Sequence, residues 1–167
     1  MTLHIRTETH ADQAAIHALT KAAFLHAPHT NHAEQFIVDA LRAAGALTVS
    51  LVAEDNGEVV GHVAISPVVL SDGSSGWFGL GPISVAPARQ RQGIGAALMR
   101  CALDVLRAQG AAGCVLLGDP AYYTRFGFVA HPTLVLPGVP PEYFQAIALR
   151  GEVPAASVQY HAAFGAG

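Results

Sequence analysis

Residues 80–98 constrain this chain more than any other stretch. Leu80 to Val85 is an apolar, strand-like run that stops at Ala86-Pro87. A short basic and amide-rich loop follows, Ala88-Arg-Gln-Arg-Gln92, and two glycines, Gly93 and Gly95, then open an amphipathic helix. A strand passing through a glycine loop into a helix can hold an anionic phosphate chain. The glycines let backbone N–H groups approach closely, and the helix N-terminus adds unpaired donors and partial positive charge.

Two familiar phosphate loops fit poorly. A Walker A loop ends in Gly-Lys-Ser/Thr, and neither Lys nor a hydroxyl residue follows Gly95. The dinucleotide fingerprint requires Gly-x-Gly-x-x-Gly/Ala, but Gly93-Ile-Gly95-Ala-Ala-Leu98 ends in leucine and lies mid-chain. The pattern that does fit is Gln/Arg-x-x-Gly-x-Gly/Ala, here Gln90-Arg-Gln-Gly93-Ile-Gly95. In its setting of strand, Val-x-Pro, loop and helix, it resembles the pyrophosphate loop of the GNAT superfamily of N-acetyltransferases, which bind acetyl-CoA.

The rest of the chain reads as alternating elements. Leu3 to Arg6 is a strand, and Thr9 with Asp12 offers a capping-box start for a helix to Phe24. Asn31 with Glu34 offers a second cap, for a helix that stops at Gly45. Thr48–Glu54 and Glu58–Leu70 form a hairpin around Asp55-Asn-Gly57, and Trp77–Val85 is a third strand. A helix over Ile94–Gln109 leads to strand Gly113–Leu117. Asp119-Pro120 starts a short helix that ends near Gly127, and the last strand is expected over Val158–Phe164. The expected fold is a single α/β domain over residues 1–167: a mixed, mostly antiparallel central sheet flanked by helices.

This order of elements also resembles GNAT proteins. So does Asp119-Pro-Ala-Tyr-Tyr123-Thr-Arg-Phe-Gly127-Phe128, which places a tyrosine four residues before a Gly-Phe pair. The wording of this stretch, together with Gln159-Tyr-His-Ala-Ala-Phe164, is similar to the YhbS-like small bacterial branch. One departure stands out. Many GNAT enzymes carry Asn at the end of the fifth strand, where this chain has Asp119.

Composition limits the partners. With 167 residues, 51% of them hydrophobic and 13% charged, the chain can bury a substantial core. A net charge of -3 favours no nucleic-acid-binding face, so the arginines near position 90 read as a small anion site. Cys101 and Cys114 read as small apolar groups in a helix and a strand, not as a disulfide or metal pair. No signal-like core or membrane-length run is visible, so a soluble cytoplasmic protein, monomer or homodimer, is expected.

The resemblance implies acetyl transfer to a primary amine, with acetyl-CoA as cosubstrate and no metal. The acceptor would be a small molecule or a peptide. Ile83, Ser84 and Val85 would offer backbone N–H groups; Gln90, Arg91, Gln92, Gly93, Ile94, Gly95 and Ala96 would surround the pyrophosphate; Asp119 would lie beside the cofactor. Arg89 competes with Arg91 as the phosphate partner. Tyr123 is the expected general acid, since a phenol with pKa about 10 stays protonated near neutrality. Its competitor, Tyr122, faces about 100° away on a helix.

No general base stands out. Its importance depends on the acceptor, because deprotonating an alkyl amine at neutral pH costs about 4–5 kcal/mol and an α-amino group only about 1 kcal/mol. Phe24, His29 and Glu34, in and beside the first interhelical loop, are the expected acceptor contacts, with the turn near Gly73 as a rim. His26, His29 and His32 form an x-x-His series, but zinc sites usually recruit cysteine or acidic ligands as well. Two other readings compete: a non-catalytic acyl-CoA-binding module, and a nucleotide-dependent oxidoreductase disfavoured by Leu98.

Overall fold

The computed structural model describes residues 2–28 and 30–165. Strand β1 (Leu3–Thr7) is followed by one 3-10 turn, in which the Thr9 N–H donates to Asp12 Oδ2 at 2.7 Å. Helix α1 (Gln13–Phe24) then buries Ile16, Leu19 and Thr20. Helix α2 (Glu34–Ala43) starts later than the sequence suggests. Asn31 Oδ1 accepts the Ala33 N–H at 3.0 Å in a turn before the helix, so Ala33 is the N-cap and Glu34 the first helical residue.

Strands β2 (Val49–Asp55) and β3 (Glu58–Pro67) form the expected hairpin. Asn56 and Gly57 take φ of 51° and 81°, the pair of positive values that a tight hairpin turn requires. β3 stops at Pro67 instead of continuing to Leu70. Val69–Leu70 is a separate strand, β4, in a second small sheet. Then come β5 (Trp77–Val85), α3 (Ile94–Ala108), β6 (Gly113–Leu117) and a single turn, α4 (Pro120–Tyr123). Strands β7 (Leu134–Val135) and β8 (Phe144–Ala148) lie where the sequence reading placed no strand. β9 spans Ala156–Gln159, earlier than expected, because His161 Nδ1 accepts the Ala163 N–H at 3.0 Å and turns the chain. Ala163 and Phe164 then pack on Ile37 and Leu41 of α2.

The main sheet runs β1-β2-β3-β5-β6-β8, and β4-β9-β7 form the second sheet. Every neighbouring pair in the main sheet is antiparallel except β5–β6, which α3 joins as a crossover. Successive β2 side chains point to opposite faces. Leu51 and Ala53 belong to the cluster under α3, whereas Val52 meets Ile16 and Val38 of α1 and α2. α3 lies very close to the sheet. A Cβ at Gly61 would stand 2.9 Å from Leu98 Cδ1 and 3.0 Å from Ile94 Cγ2, so only glycine there lets the first turn of α3 seat on β3.

The parallel pair is short. β5 and β6 pair only over Trp77–Gly79 and Gly113–Val115. Against β3, β5 carries an extra residue: Leu80 faces Ile65 and Ile83 faces Val63, with Gly81-Pro82 between them. Such a bulge bends its strand, and proline has no N–H to give to a ladder. Leu80 to Val85 therefore pair with β3 but not with β6, and a gap opens at the C-terminal ends of the two parallel strands. In sheets with such crossovers, ligands bind at this end.

Candidate active site

A cavity of about 720 Å³ occupies one side of the gap. It is lined by Ile83 and Val85 of β5, by Gln90, Arg91, Gly93, Ile94, Gly95 and Ala96 of the loop and helix start, and by Asp119 and Tyr123. All ten are residues expected from the sequence. Arg89, Gly118, Tyr122 and Arg125 complete the wall.

Two expected residues lie elsewhere. Ser84 is buried on the opposite face of β5, because side chains alternate along a strand. Gln92 is exposed outside the cavity and accepts from Arg89 Nε at 3.2 Å.

Backbone polarity at β5 follows from its pairing. The Ala86 N–H donates to the Val60 carbonyl at 2.9 Å, and Ser84 stands opposite His62. In an antiparallel ladder, bonded and non-bonded pairs alternate. Ser84 therefore turns its N–H to β3, while Ile83 and Val85 turn theirs across the gap. The Val85 carbonyl also points that way, and Gln90 Nε2 donates to it at 3.1 Å. Gln90 thus pins the loop through its side chain, where the sequence suggested a backbone role.

The loop delivers a helix N-terminus to the same place. Gly93 is the N-cap of α3, with φ of 85°, and it has no side chain to cap the helix. The first amide closed in the helix is Ala97, bonded to the Gly93 carbonyl at 3.0 Å. The N–H groups of Ile94, Gly95 and Ala96 precede it and have no intrahelical acceptor, which leaves donors and positive dipole charge facing the cavity. This donor set fits a pyrophosphate.

The two loop arginines differ. Arg89 Nη2 pairs with Asp55 Oδ2 at 2.7 Å, tying the loop to the β2–β3 turn. Arg91 is exposed, with φ of 65°, and makes no ion pair among the described residues.

Opposite the loop, Asp119 caps α4, its Oδ1 accepting the Ala121 N–H at 2.9 Å. The short helix turns Tyr123 onto Gly118, where a Cβ would stand 2.3 Å from Tyr123 Cε2. Phe126 and Phe128 lie beside the ring, with centroids 6.4 and 6.5 Å away. Burial, with smaller contributions from Tyr122 and Asp119, pushes the Tyr123 phenol above its ordinary pKa. It stays protonated at neutral pH. Tyr122 is held differently: the Arg125 guanidinium stacks on its ring at 4.4 Å, and Arg125 Nε donates to its carbonyl at 2.8 Å. Arg125 was legible only as a charge three residues after Tyr122 on a helical turn.

A second cavity, of about 350 Å³, uses the neighbouring residues of the same strands: Leu80, Gly81 and Pro82 of β5, and Leu117 of β6. Phe24 and Glu34 line it, as do Ile37, Leu136, Tyr160 and Phe164. The structure thus brings two of the three expected acceptor contacts to the gap. The third, His29, lies outside the described residues. His26, His32 and Gly73 line neither cavity. Among the described residues no group of three His, Cys, Asp or Glu side chains could hold a metal, and no helix is long and apolar enough to cross a membrane. Cys101 and Cys114 are free thiols.

Known proteins match this arrangement. Residues 8–128 match the acetyltransferase (GNAT) family. The chain is 41% identical over 125 residues to the uncharacterized N-acetyltransferase YhbS of Escherichia coli K12, covering 74% of this chain and 72% of that protein. A crystal structure of a Brucella melitensis GNAT acetyltransferase in complex with acetyl-CoA superposes with a TM-score of 0.88 at 52% identity, over 98% of each chain. Escherichia coli YhbS in complex with CoA also gives 0.88, at 37% identity, over 98% of this chain and 92% of that one. The chain belongs to the GNAT family of acetyltransferases.

Proposed function

From this family membership we propose that the protein transfers the acetyl group of acetyl-CoA to a primary amine within one ternary complex. The observation that carries the reading is the gap between β5 and β6. On one side stands the Gly93 helix with its unpaired donors; across it point the N–H groups of Ile83 and Val85; and the protonated Tyr123 lines the same cavity. The relatives solved with acetyl-CoA and with CoA have this same fold.

Acetyl-CoA supplies an activated acyl group, and the chain's residues place and polarise it. The N–H groups of Ile94, Gly95 and Ala96 receive the pyrophosphate, with Arg91 as the available counter-charge. The Val85 N–H, turned into the gap, donates to the acyl oxygen and stabilises the negative charge that grows on it when the amine adds. The amine adds as the free base, its surplus protons passing to water; Tyr123 gives its proton to the departing sulfur and regains one from solvent. Its raised pKa keeps that proton available throughout the neutral range. The amine enters from the opposite side of the sheet, past Phe24 and Glu34, so both reactants meet at the gap.

The test is release of the CoA thiol in the presence of acetyl-CoA and a panel of amines, including peptides, polyamines, aminoglycosides, amino acids and arylalkylamines. Turnover that requires both substrates, with an acetylated product by mass, is expected. Tight acetyl-CoA binding with no turnover on any amine would make the protein a binding module instead.

A further inference from the structure

The cavity of about 350 Å³ at Glu34 has a lining chemistry that selects its occupant. Phe24, Pro82, Leu117 and Leu136 give it an apolar wall. Among the described residues, Glu34 is the only charged one that lines it. One Glu34 carboxylate oxygen, Oε2, accepts from the Thr30 hydroxyl. The other, Oε1, is buried without a hydrogen-bond partner among the described residues. The Tyr160 hydroxyl is likewise buried and unpartnered, with its ring against Gly79 at the base of the gap. Buried acceptors without donors are unfavourable, so an occupant that brings a donor gains by meeting one.

We propose that this cavity binds a primary amine carried on a neutral apolar body, with the ammonium donating to Glu34 Oε1 and the body lying against Phe24, Leu117 and Leu136. The inference rests on the transferase reading and names the acceptor class for it. Size and charge both point that way. A cavity of about 150 Å³ holds one benzene, so this one holds roughly two such bodies, enough for an aryl or branched alkyl amine. A polyamine would bring further ammonium groups with no second carboxylate among the described lining residues to meet them. An α-amino acid would bring its own carboxylate against Glu34. A sugar amine would leave hydroxyls unpaired against the apolar wall. The position is productive as well. Pro82 and Leu117 line this cavity, and the next residue along each strand, Ile83 and Gly118, lines the other.

The experiment uses the whole protein with phenethylamine, phenylalanine and spermidine as acceptors, in the wild type and in Glu34→Gln. Phenethylamine is expected to have a kcat/KM at least about tenfold above the other two. Glu34→Gln should raise its KM about 10–100-fold, as expected for loss of a buried charge-assisted hydrogen bond, while the KM for acetyl-CoA stays unchanged. Calorimetric binding of phenethylamine to the CoA-saturated wild type reads the cavity without turnover. Binding without any acetyl transfer would overturn the transferase reading and keep the cavity assignment. Efficient acetylation of spermidine or phenylalanine, absence of phenethylamine binding, or an unchanged acceptor KM in folded Glu34→Gln would overturn the cavity assignment alone.

Discussion

Gly118→Ala tests the placement of Tyr123 without touching the phenol. A Cβ at residue 118 would stand 2.3 Å from Tyr123 Cε2 and 2.8 Å from Cδ2, where ordinary contact begins at 3.4 Å. The backbone has little freedom to retreat. Its N–H donates to the Tyr143 carbonyl at 3.0 Å, and its carbonyl accepts from Gln145 Nε2, also at 3.0 Å. The ring must therefore move by about 1 Å, against Phe126 and Phe128. A misplacement of about 1 Å near the chemistry can cost roughly 10²-fold in rate. Overpacking of this kind also costs about 1–3 kcal/mol of stability. The expected result is a kcat lowered about 10²-fold and a urea midpoint shifted down, with acetyl-CoA affinity within a few-fold of wild type. Steady-state kinetics, urea unfolding and calorimetry on one preparation read all three. A folded Gly118→Ala protein with wild-type kcat would refute the argument that the ring's position matters.

Three further outcomes follow from the structure. Gly95→Asp should weaken acetyl-CoA binding about 10–100-fold by calorimetry while the fold stays intact, because a Cβ there meets no protein atom closer than 3.7 Å. Arg91→Ala should weaken binding several-fold in a salt-dependent way, by about 1 kcal/mol at low salt; affinity measured across a salt series checks it, and a salt-independent loss would count against a phosphate contact. The third concerns His62, whose Nε2 lies 2.8 Å from Ser50 Oγ and whose burial pushes its pKa down to about 4. The unfolded chain, with a histidine pKa near 6.5, binds this proton first, so stability is full above about pH 6.5 and falls as pH drops towards 4, by about 2 kcal/mol at pH 5. Hydrogen bonds from Arg6 to Asp12, and from Arg42 and Ser50 to Glu8 against its burial, hold both carboxyls below their ordinary pKa, so their share is lost only as pH falls below the usual carboxylate range. Urea unfolding at pH 8 and pH 5 should show a larger drop for wild type than for His62→Gln.

Much of the fold is legible because local chemistry and tertiary demand agree. Asn56-Gly57 specifies its turn, Asp119-Pro120 specifies a capped helical turn, and the Gly93 loop marks both a helix start and a phosphate site. Strand β8 was invisible for the opposite reason. Phe144–Ala148 is short and lies in a stretch broken by Pro132, Pro137, Pro140, Pro141 and Pro154, and it becomes a strand only by pairing with β6. At the site, the resemblance of their spacing to the GNAT pattern singled out the loop residues and Tyr123, and most of that loop lines the first cavity with Tyr123. Ser84 was misplaced because a backbone role says nothing about strand parity, which depends on where β5 pairs with β3. Leu136 carries no local signal, and Tyr160 stood out only within the Gln159–Phe164 stretch, with nothing to mark it as a cavity residue. They reach the second cavity through the small β4-β9-β7 sheet and the chain beside it.

The most direct test of the account is the comparison of Tyr123→Phe with Tyr122→Phe. Phenylalanine keeps the ring that packs on Gly118 and removes only the proton. With an accepted amine and saturating acetyl-CoA, kcat of Tyr123→Phe should fall about 10²–10⁴-fold. Acetyl-CoA affinity and the urea midpoint should stay near wild type, and Tyr122→Phe should turn over within a few-fold of wild type. Wild-type kcat in Tyr123→Phe, or a collapse confined to Tyr122→Phe, would contradict the assignment of the acid and with it the chemistry proposed for the gap.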